Sequence, residues 1–521
     1  MAQQQASSAT VVQKVSVKTA LGSDTFQLRS FRFRDRMGEP FVGVLELQSG
    51  ADSVDLGSLL GGSVTVTVNL PQGGERNFNG IVLEASQEAA AGDTTRYRLV
   101  MGPWLAVLEL GSDSRIFQEQ SAPDVLEAVF QGLGFSAVQR NGLIESYDPL
   151  EFCVQYNETH ASFVHRLMQR FGIAYHHVHT ADSHTLVLCD SSTSYQSSPG
   201  YASVPYRGDG RAAENLEHVS HWTSTKRLTA GSYAAKDYDY QNPGASLLAQ
   251  DSAEQSCPHG DLQLYDYPGG YTKQSLGTTL ARVRIEEQAC RQQVFEGTAH
   301  CWGFAAGKTF KLTDHPQQDC NRSYLTTAID LSIDPLTDDE PTTRGPRSAG
   351  QFTYVCRLEA IPSDVTFRPA RTAPKPRIAG VQTAVVVGPA GQDPATPFTD
   401  GQGSLRLQFR WDRYGQSNSK SSAWVRCTQF WAGPGWGAVF VPRLGCEVAV
   451  AFQEGDPDRP VIIGSLYNGA NAPPLSLPGD AQNLMVKDDG GNYLQFTPGD
   501  GNQVITLYSP TDTTTVQIGK T

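Results

Sequence analysis

The chain has 521 residues, which is too long for a single hydrophobic core and predicts two to four domains. A hydrophobic content of 39%, together with 50 Gly and 30 Pro, favours a turn-rich β protein and excludes a helical bundle. The 41 Lys and Arg residues against 54 Asp and Glu residues give a net charge of −13, so bulk electrostatics attract neither nucleic acid nor an anionic membrane.

The N-terminal segment and the cysteines indicate where the chain is expected to reside. Residues 1–17 contain neither a basic start nor an apolar core, so we expect no secretory signal. No apolar run reaches the roughly 18 residues that a membrane helix needs. The nine cysteines are odd in number and never closer than eleven positions, which favours a reduced set over a disulfide framework. We therefore expect a cytoplasmic protein, whose export would need a route other than a signal peptide.

Two helices are predicted among the strands of the first 190 residues. The first begins with Ser121 as its N-cap and ends at Gly134. The second carries the apolar side chains of residues 163–171 on one face and ends at Gly172. A hairpin over 172–188 follows, because two β-rich runs flank a polar turn there.

The region from 405 to 466 has the alternation of a small antiparallel barrel. Every second residue is apolar between Leu405 and Trp411 and again between Glu447 and Phe452. The segment Pro460 to Leu466 is apolar and β-branched, and the turn-forming residues 455–458 precede it. The natural candidate is a barrel of the oligonucleotide/oligosaccharide-binding (OB) type.

A set of short motifs follows in a fixed order in this region. Its residues are Trp411, Asp412, Arg413, Trp424, Arg426, Pro442, Arg443, Gly455, Asp456, Pro457, Asp458, Arg459 and Pro460. The order of these motifs resembles the OB domain of the valine-glycine-repeat protein G (VgrG) family. VgrG is the spike of the bacterial type VI secretion system and is related to the hub and spike of contractile phage tails. Gln155–Glu158, Asp237–Tyr240 and Tyr265–Tyr271 also look like VgrG and extend the resemblance over nearly the whole chain.

The last forty residues repeat a short strand pattern. Apolar pairs recur at a constant spacing of eleven, separated by Gly, Asp, Pro and Thr. One chain supplies only two apolar residues per repeat, which is too few for a core, so burying them requires partner chains. The resemblance sets the number of chains at three, wound into a triangular β-helix. The predicted needle core is Leu494, Phe496, Ile505, Leu507, Val516 and Ile518.

The resemblance implies a mainly β fold with a few short helices, divided into four regions. Residues 1–368 are expected to form a phage-hub-like base of two β-barrels with inserted α/β segments. Residues 369–377 are a linker, which their prolines also predict as semi-rigid. Residues 378–472 are the OB domain, and residues 473–521 are the neck and the start of the needle.

The resemblance also implies a mechanical protein without cofactor or metal. Three copies would cap the hexameric tube protein (Hcp), contact baseplate components, and carry a PAAR-repeat tip protein, effectors and adaptors. Contact with the target membrane would be transient, during puncture. The spike would lie in the cytoplasm before firing and reach the extracellular space or a target cell afterwards. An intertwined β-helix suits this role because it has no free strand edge along its length.

Three sets of residues invite a chemical interpretation, and each favours a structural one. Residues 302–309 resemble a phosphate-binding loop but are one residue short, and a strand pattern follows instead of a helix. His177 and His179 share one strand face without a third ligand, and partly exposed strand histidines are ordinary. A third set lacks the spacing of a zinc motif: Cys290, His300, Cys301, His315 and Cys320.

The alternative hypothesis is an enzymatic spike, for example a glycan hydrolase that uses the acidic cluster Glu454, Asp456 and Asp458. The turn around Pro457, with Arg459 available to pair, favours a structural role for these carboxylates. The seven tryptophans are expected mostly in the barrel core, no lipase-type GxSxG is present, and no effector domain is expected after the needle. A nucleic-acid-binding OB protein is a third hypothesis, and the acidic charge opposes it.

Overall fold

The computed structural model describes residues 10–12, 15–51, 53–70, 74–88, 94–208, 217–335 and 352–519. In these residues strands dominate and three α-helices are present, which confirms the predicted fold class. The chain divides into two compact units. The first comprises Met1–Ser112, Ser121–Asp148 and Thr159–Pro374, and the second comprises Asp113–Gln120, Pro149–Glu158 and Lys375–Thr521.

A sheet of 14 strands forms the framework of the first unit. Two groups of strands join where Ala328–Ile333 pairs antiparallel with Phe31–Arg36, so one continuous sheet carries both parts of the base. Val64, Val66 and Val68 alternate along one strand and are fully buried. The strands are Thr10–Val12, Val15–Lys18, Gln27–Arg36, Val42–Ser49, Ser63–Asn69, Glu75–Gln87, Thr95–Gly102, Gln196–Ser197, Ser203–Pro205, His218–Lys226, Gln293–His300, Lys308–Thr313, Ser323–Pro335 and Phe352–Pro362.

The two helices predicted from the sequence are present. Helix α1 spans Ala122–Gly132, and the Ser121 side chain accepts a hydrogen bond from the Asp124 amide at its start. Helix α2 spans His160–Phe171, is capped in the same way by Thr159, and ends at Gly172, whose φ of 69° is left-handed. The predicted hairpin follows, formed by Ala174–His179 and His184–Cys189, and Val138–Gly142 pairs with its second strand.

The sequence analysis missed helix α3, Gln274–Ala289. It packs on a small sheet made by Ser232–Asp237, Leu247–Ser252 and Gln263–Asp266. The buried side chains of α3 include Arg284 and Glu287, which pair at 2.5 Å. These charged residues inside the apolar stripe obscure the period by which an amphipathic helix is recognised.

A five-stranded barrel sheet forms the core of the second unit, with its strands in the order 406–409, 382–387, 447–452, 460–466 and 426–427. Glu447–Phe452 and Pro460–Leu466 have the predicted bounds. Two segments of the predicted base group with this unit, because Ile116, Phe152 and Tyr156 pack against the barrel core. The remaining strands before the neck are Ser112–Phe117, Cys153–Thr159, Gln382–Val387, Arg406–Phe409, Arg426–Cys427, Ala432–Gly433 and Trp436–Gly437.

Short 3₁₀ helices complete the secondary structure. They are Trp104–Leu110, Ser192–Ser194, Gln318–Cys320, Gln453–Gly455 and Thr511–Thr513. Among all helices in the described ranges, none is both long enough and apolar enough to cross a bilayer.

Candidate functional site

The C-terminal strands form a four-stranded antiparallel sheet, which we call the needle sheet. Each strand pairs with the next one along the chain. The needle sheet is therefore a simple meander, built without any long-range connection inside the chain. Its strands are Leu484–Lys487, Tyr493–Thr497, Val504–Ser509 and Thr514–Gly519.

Apolar side chains cross the needle sheet in two rows on one face, which we call the needle face. Residues that pair directly across antiparallel strands point to the same side of a sheet. All six residues of the predicted needle core lie in these rows. The first row is Leu484, Phe496, Ile505 and Ile518, and the second is Val486, Leu494, Leu507 and Val516.

The needle face is open to solvent in the single chain. Phe496 is 41% exposed, Leu507 48% and Ile518 61%. The opposite face carries a polar row in which Gln495 pairs with Thr506, and Thr506 with Gln517. An exposed apolar face of this extent is typical of an interaction surface.

The OB motif residues Asp412 and Arg413 hold a tight turn and an ion pair. The Asp412 carboxylate accepts hydrogen bonds from the amides of Tyr414 and Gly415, at 3.0 and 3.1 Å. The Arg413 guanidinium lies 3.0 Å from the Asp113 carboxylate. Desolvation raises the pKa of Asp113, but hydrogen bonds from Tyr414 and Arg413 outweigh it and lower the pKa below its ordinary value. These residues fasten the segment 113–120 to the barrel.

The motif tryptophans Trp411 and Trp424 have packing roles. The Trp411 indole donates a hydrogen bond to Gln382 at 2.9 Å and its ring lies 5.6 Å from that of Tyr156. The Arg406 guanidinium lies over the Trp424 ring, 4.4 Å from the centre of that ring. Trp411 therefore contributes to the contact between the barrel and the segment 149–158.

The acidic turn of the barrel is bound by a lysine. The Lys375 ammonium lies 2.5 Å from a carboxylate oxygen of both Asp456 and Asp458. Asp458 also accepts a hydrogen bond from the Val154 amide at 2.7 Å. The sequence offered Arg459 as a partner within this turn, and the structure adds Lys375, which lies about eighty residues earlier in the chain. The carboxylates thus have structural partners, which favours the turn interpretation over an acid pair for hydrolysis.

The other motif residues lie in turns or at strand starts of the barrel. Gly455 adopts a left-handed φ of 74°, and its carbonyl accepts a hydrogen bond from the Ile378 amide at 2.8 Å. Arg443 lies 3.2 Å from Asp489 in the first turn of the needle sheet. The rest are placed as follows: Arg426 begins a short strand, Pro442 precedes Arg443, Pro457 and Arg459 lie in the acidic turn, and Pro460 begins the last barrel strand.

The expectation that the strand histidines are partly exposed is wrong for His177, which is 3% exposed and packs 4.9 Å from the Phe41 ring. His176 and His184 on the same hairpin are also buried. Burial lowers the pKa of His176 and of His184 to about 4. The sequence showed the shared face of the hairpin but not the sheet that covers it.

The remaining candidate metal ligands and the segment that resembles a phosphate-binding loop have structural roles. Among the described residues no three His, Cys, Asp or Glu side chains are grouped to hold a metal. Cys290 lies in one hydrophobic cluster, while Cys301 and Cys320 lie in another. Gly307 turns with a φ of 75° directly into the strand Lys308–Thr313, as the sequence predicted.

The expectation that the tryptophans lie mostly in a barrel core is wrong for two of the seven. Trp431 and Trp436 of the barrel are 61% and 55% exposed. Trp104, Trp222 and Trp302 are buried in the first unit. Sequence alternation cannot separate a core tryptophan from one on a surface loop, so these two exposed residues were missed.

Comparison with protein families defines the class of the chain. Residues 34–335 match the phage tail baseplate hub (GPD) family, and residues 397–467 match the type VI secretion system/phage-baseplate injector OB domain. The chain therefore combines the hub and the injector barrel of contractile tail machines. A solved E. coli type VI secretion component, described as structurally similar to the bacteriophage T4 tail proteins gp27 and gp5, shares this fold with a TM-score of 0.60. That match covers 87% of this chain and 100% of the E. coli chain at 18% identity.

Curated relatives define the family. The chain is 39% identical over 485 residues to the type VI secretion system spike protein VgrG1b of Pseudomonas aeruginosa, covering 92% of this chain and 64% of that protein. It is 37% identical to VgrG1a of the same organism, covering 92% of this chain and 74% of that protein. The chain belongs to the VgrG family of type VI secretion system spike proteins. It spans about two thirds of the length of VgrG1b.

Proposed function

We propose that this chain is the structural spike of a type VI secretion system and acts as a homotrimer. The observation that carries the proposal is the open needle face, whose two apolar rows directly follow an injector-type barrel. Membership of a family of spike proteins supports the same role. The role is mechanical, and no cofactor or metal takes part in it.

Three copies of the needle sheet make a physically reasonable assembly. The described needle strands carry one charged residue, Lys487, while Asp488, Asp489, Asp500 and Asp512 lie in the turns. Three needle faces that meet around an axis would remove both apolar rows from water. Neighbouring sheets would also cover the strand edges, which otherwise attract unspecific pairing. The sheet is therefore complete only as part of the trimer.

The expected partners follow one another along the spike. The trimeric base caps the hexameric Hcp tube and contacts baseplate components, and the needle carries a PAAR-repeat tip protein together with effectors and their adaptors. The spike is held in the cytoplasm before firing and is then delivered to the extracellular space or a target cell. It contacts the target membrane during puncture and uses no nucleic acid.

The first test is the solution mass of the purified chain by light scattering at two dilutions. We expect three times the chain mass of 56.5 kDa at both dilutions. A monomer at both dilutions would contradict the trimer. The second test is secretion from a bacterium with an active type VI system, in which Ile505→Asp should remain in the cells while Thr506→Asp, on the opposite face, is released. Equal release of both variants would contradict the needle assignment.

A further inference from the structure

Residues 428–441 form a short hairpin on the barrel, which we call the aromatic hairpin. Ala432–Gly433 pairs with Trp436–Gly437 around Gly435, whose φ of 79° closes the turn. A folded monomer rarely exposes this many large apolar side chains in one short segment. The exposed fractions are 80% for Phe430, 61% for Trp431, 55% for Trp436, 78% for Val439 and 55% for Phe440.

The aromatic hairpin is internally ordered despite its exposure. The rings of Phe430 and Phe440 stack at 5.8 Å, and those of Trp431 and Trp436 meet edge to face at 5.3 Å. The Gln429 side chain accepts a hydrogen bond from the Phe440 amide at 2.9 Å and so joins the two ends. An apolar surface that is already ordered loses little conformational entropy when a partner covers it.

The absence of charged residues from the aromatic hairpin favours another copy of this chain as the partner. Residues 428–441 contain no Asp, Glu, Lys or Arg, although the chain as a whole carries a net charge of −13. Copies of an acidic chain repel each other wherever their charged surfaces meet. The cores of protein interfaces are depleted of charge and enriched in Trp, Tyr and Phe, as this hairpin is.

The loop that directly follows the aromatic hairpin is joined to the foot of the needle sheet. Three residues beyond Phe440, the Arg443 guanidinium contacts Asp489 in the first needle turn at 3.2 Å. The side-chain amide of Asn471, on the segment that leaves the barrel, donates a hydrogen bond to the Gly445 carbonyl at 3.1 Å. Chains that pack on the needle face are therefore brought next to the hairpin.

We propose that the aromatic hairpin is a second contact between copies of this chain, separate from the needle face, and that it packs on the neighbouring barrel at the foot of the needle. This inference rests on the proposed trimer and assigns a further surface to it. Around a threefold axis the contact is heterologous, so each hairpin meets a different surface on the next copy.

A cysteine-protection experiment on the full chain tests the inference. Val439→Cys is treated with a maleimide in the trimer and again with Ile505→Asp added to dissociate it, with the exposed native Cys257 as the reference for reagent activity. We expect modification of position 439 to be at least tenfold slower in the trimer. The matched control is Val381→Cys, which is 59% exposed on the same unit and should react equally fast in both states. Equal rates at position 439 in trimer and monomer would overturn the inference.

A second measurement tests the contribution of the hairpin to assembly. The mass of Phe430→Ser/Trp431→Ser is followed through a urea titration beside wild type and Val381→Ser, with far-UV circular dichroism to verify folding. We expect the trimer constant of the double variant to weaken at least tenfold and that of the control to stay unchanged. A wild-type trimer with an unaffected double variant would refute the hairpin contact and leave the spike intact. A wild-type monomer would refute the trimer itself. Binding to phosphatidylcholine vesicles is measured for both proteins as well. If the double variant stays trimeric but loses vesicle binding, the hairpin is a membrane contact instead.

Discussion

The barrel sheet and the needle sheet carry the same alternation of apolar and polar residues but have opposite environments. Val448 and Val450 of the barrel are fully buried, whereas Val516 and Ile518 of the needle are 52% and 61% exposed. In the barrel the apolar face packs against side chains such as Leu407 from the same chain. In the needle sheet each strand pairs only with its neighbours along the chain, and the apolar face stays open to solvent. The alternation of apolar and polar residues thus determines on which face of the sheet a side chain lies. Burial of that face requires closure of the sheet or a partner chain.

The largest effect is expected for Val448→Asp in the barrel. A buried carboxylate without a partner costs several kcal/mol, so this variant should unfold the barrel at any protein concentration. Urea unfolding at two protein concentrations measures it, with Val381→Asp at an exposed position as the control. An unchanged midpoint for Val448→Asp would show that the barrel is not closed as described.

The same type of substitution in the needle, Ile505→Asp, should act through assembly. Three carboxylates would meet near one axis, so we expect the trimer to dissociate while the barrel stays folded. Light scattering and thermal melting at several concentrations measure this, with Thr506→Asp on the polar face as the control. A variant that remains trimeric with unchanged melting would show that the needle face is not the trimer core.

A fall from pH 7.5 to pH 5 should weaken the first unit and spare the second. All eleven histidines lie between residues 160 and 315, in the first unit. The pKa of His176 and of His184 is about 4 in the fold, below the ordinary 6.5, so the unfolded chain takes up more protons as the pH falls. The contribution of each of these histidines to the free energy of unfolding is therefore full above pH 6.5 and is lost between pH 6.5 and 4. At pH 5 the loss is about 2 kcal/mol per histidine. Calorimetry at pH 7.5 and pH 5 should shift only the transition of the base.

Two variants sharpen the acid prediction. Asp35 opposes the histidines, because burial raises its pKa to about 7 and its folded-state proton adds stability as the pH falls from 7. Asp35→Asn should therefore steepen the acid loss. His177→Phe should flatten it, since a buried imidazole that would charge in the unfolded chain is removed. Equal pH dependence in all three proteins would contradict the assignment.

The smallest effect is expected for Lys375→Ala. Removing this ammonium leaves the carboxylates of Asp456 and Asp458 facing each other, but Lys375 is 31% exposed and water screens part of the loss. We expect the barrel to lose about 1 kcal/mol of unfolding free energy. Urea unfolding beside the exposed Lys420→Ala measures the difference. Identical midpoints for the two variants would show that the contacts of Lys375 with the acidic turn do not stabilise the barrel.

The sequence by itself determined the features that arise from neighbouring residues. Ser121 and Gly172 bound two helices through capping and a left-handed turn, and the alternation in 447–452 defined a strand with its predicted limits. The spacing of eleven placed six apolar residues on one face of the needle sheet. These rules act over a few residues, so they hold before the chain folds.

The tertiary structure alone decided what comes together from distant parts of the chain. Lys375 binds the acidic turn, and segments 113–120 and 149–158 join the barrel, because their partners lie far away in sequence. Leu484 and Val486 extend the needle rows although the step from 484 to 494 is ten, which breaks the period of eleven. Burial of the histidines and exposure of the aromatic hairpin likewise depend on which sheet faces which. Local pattern fixes the direction of a side chain, and only packing fixes what it meets.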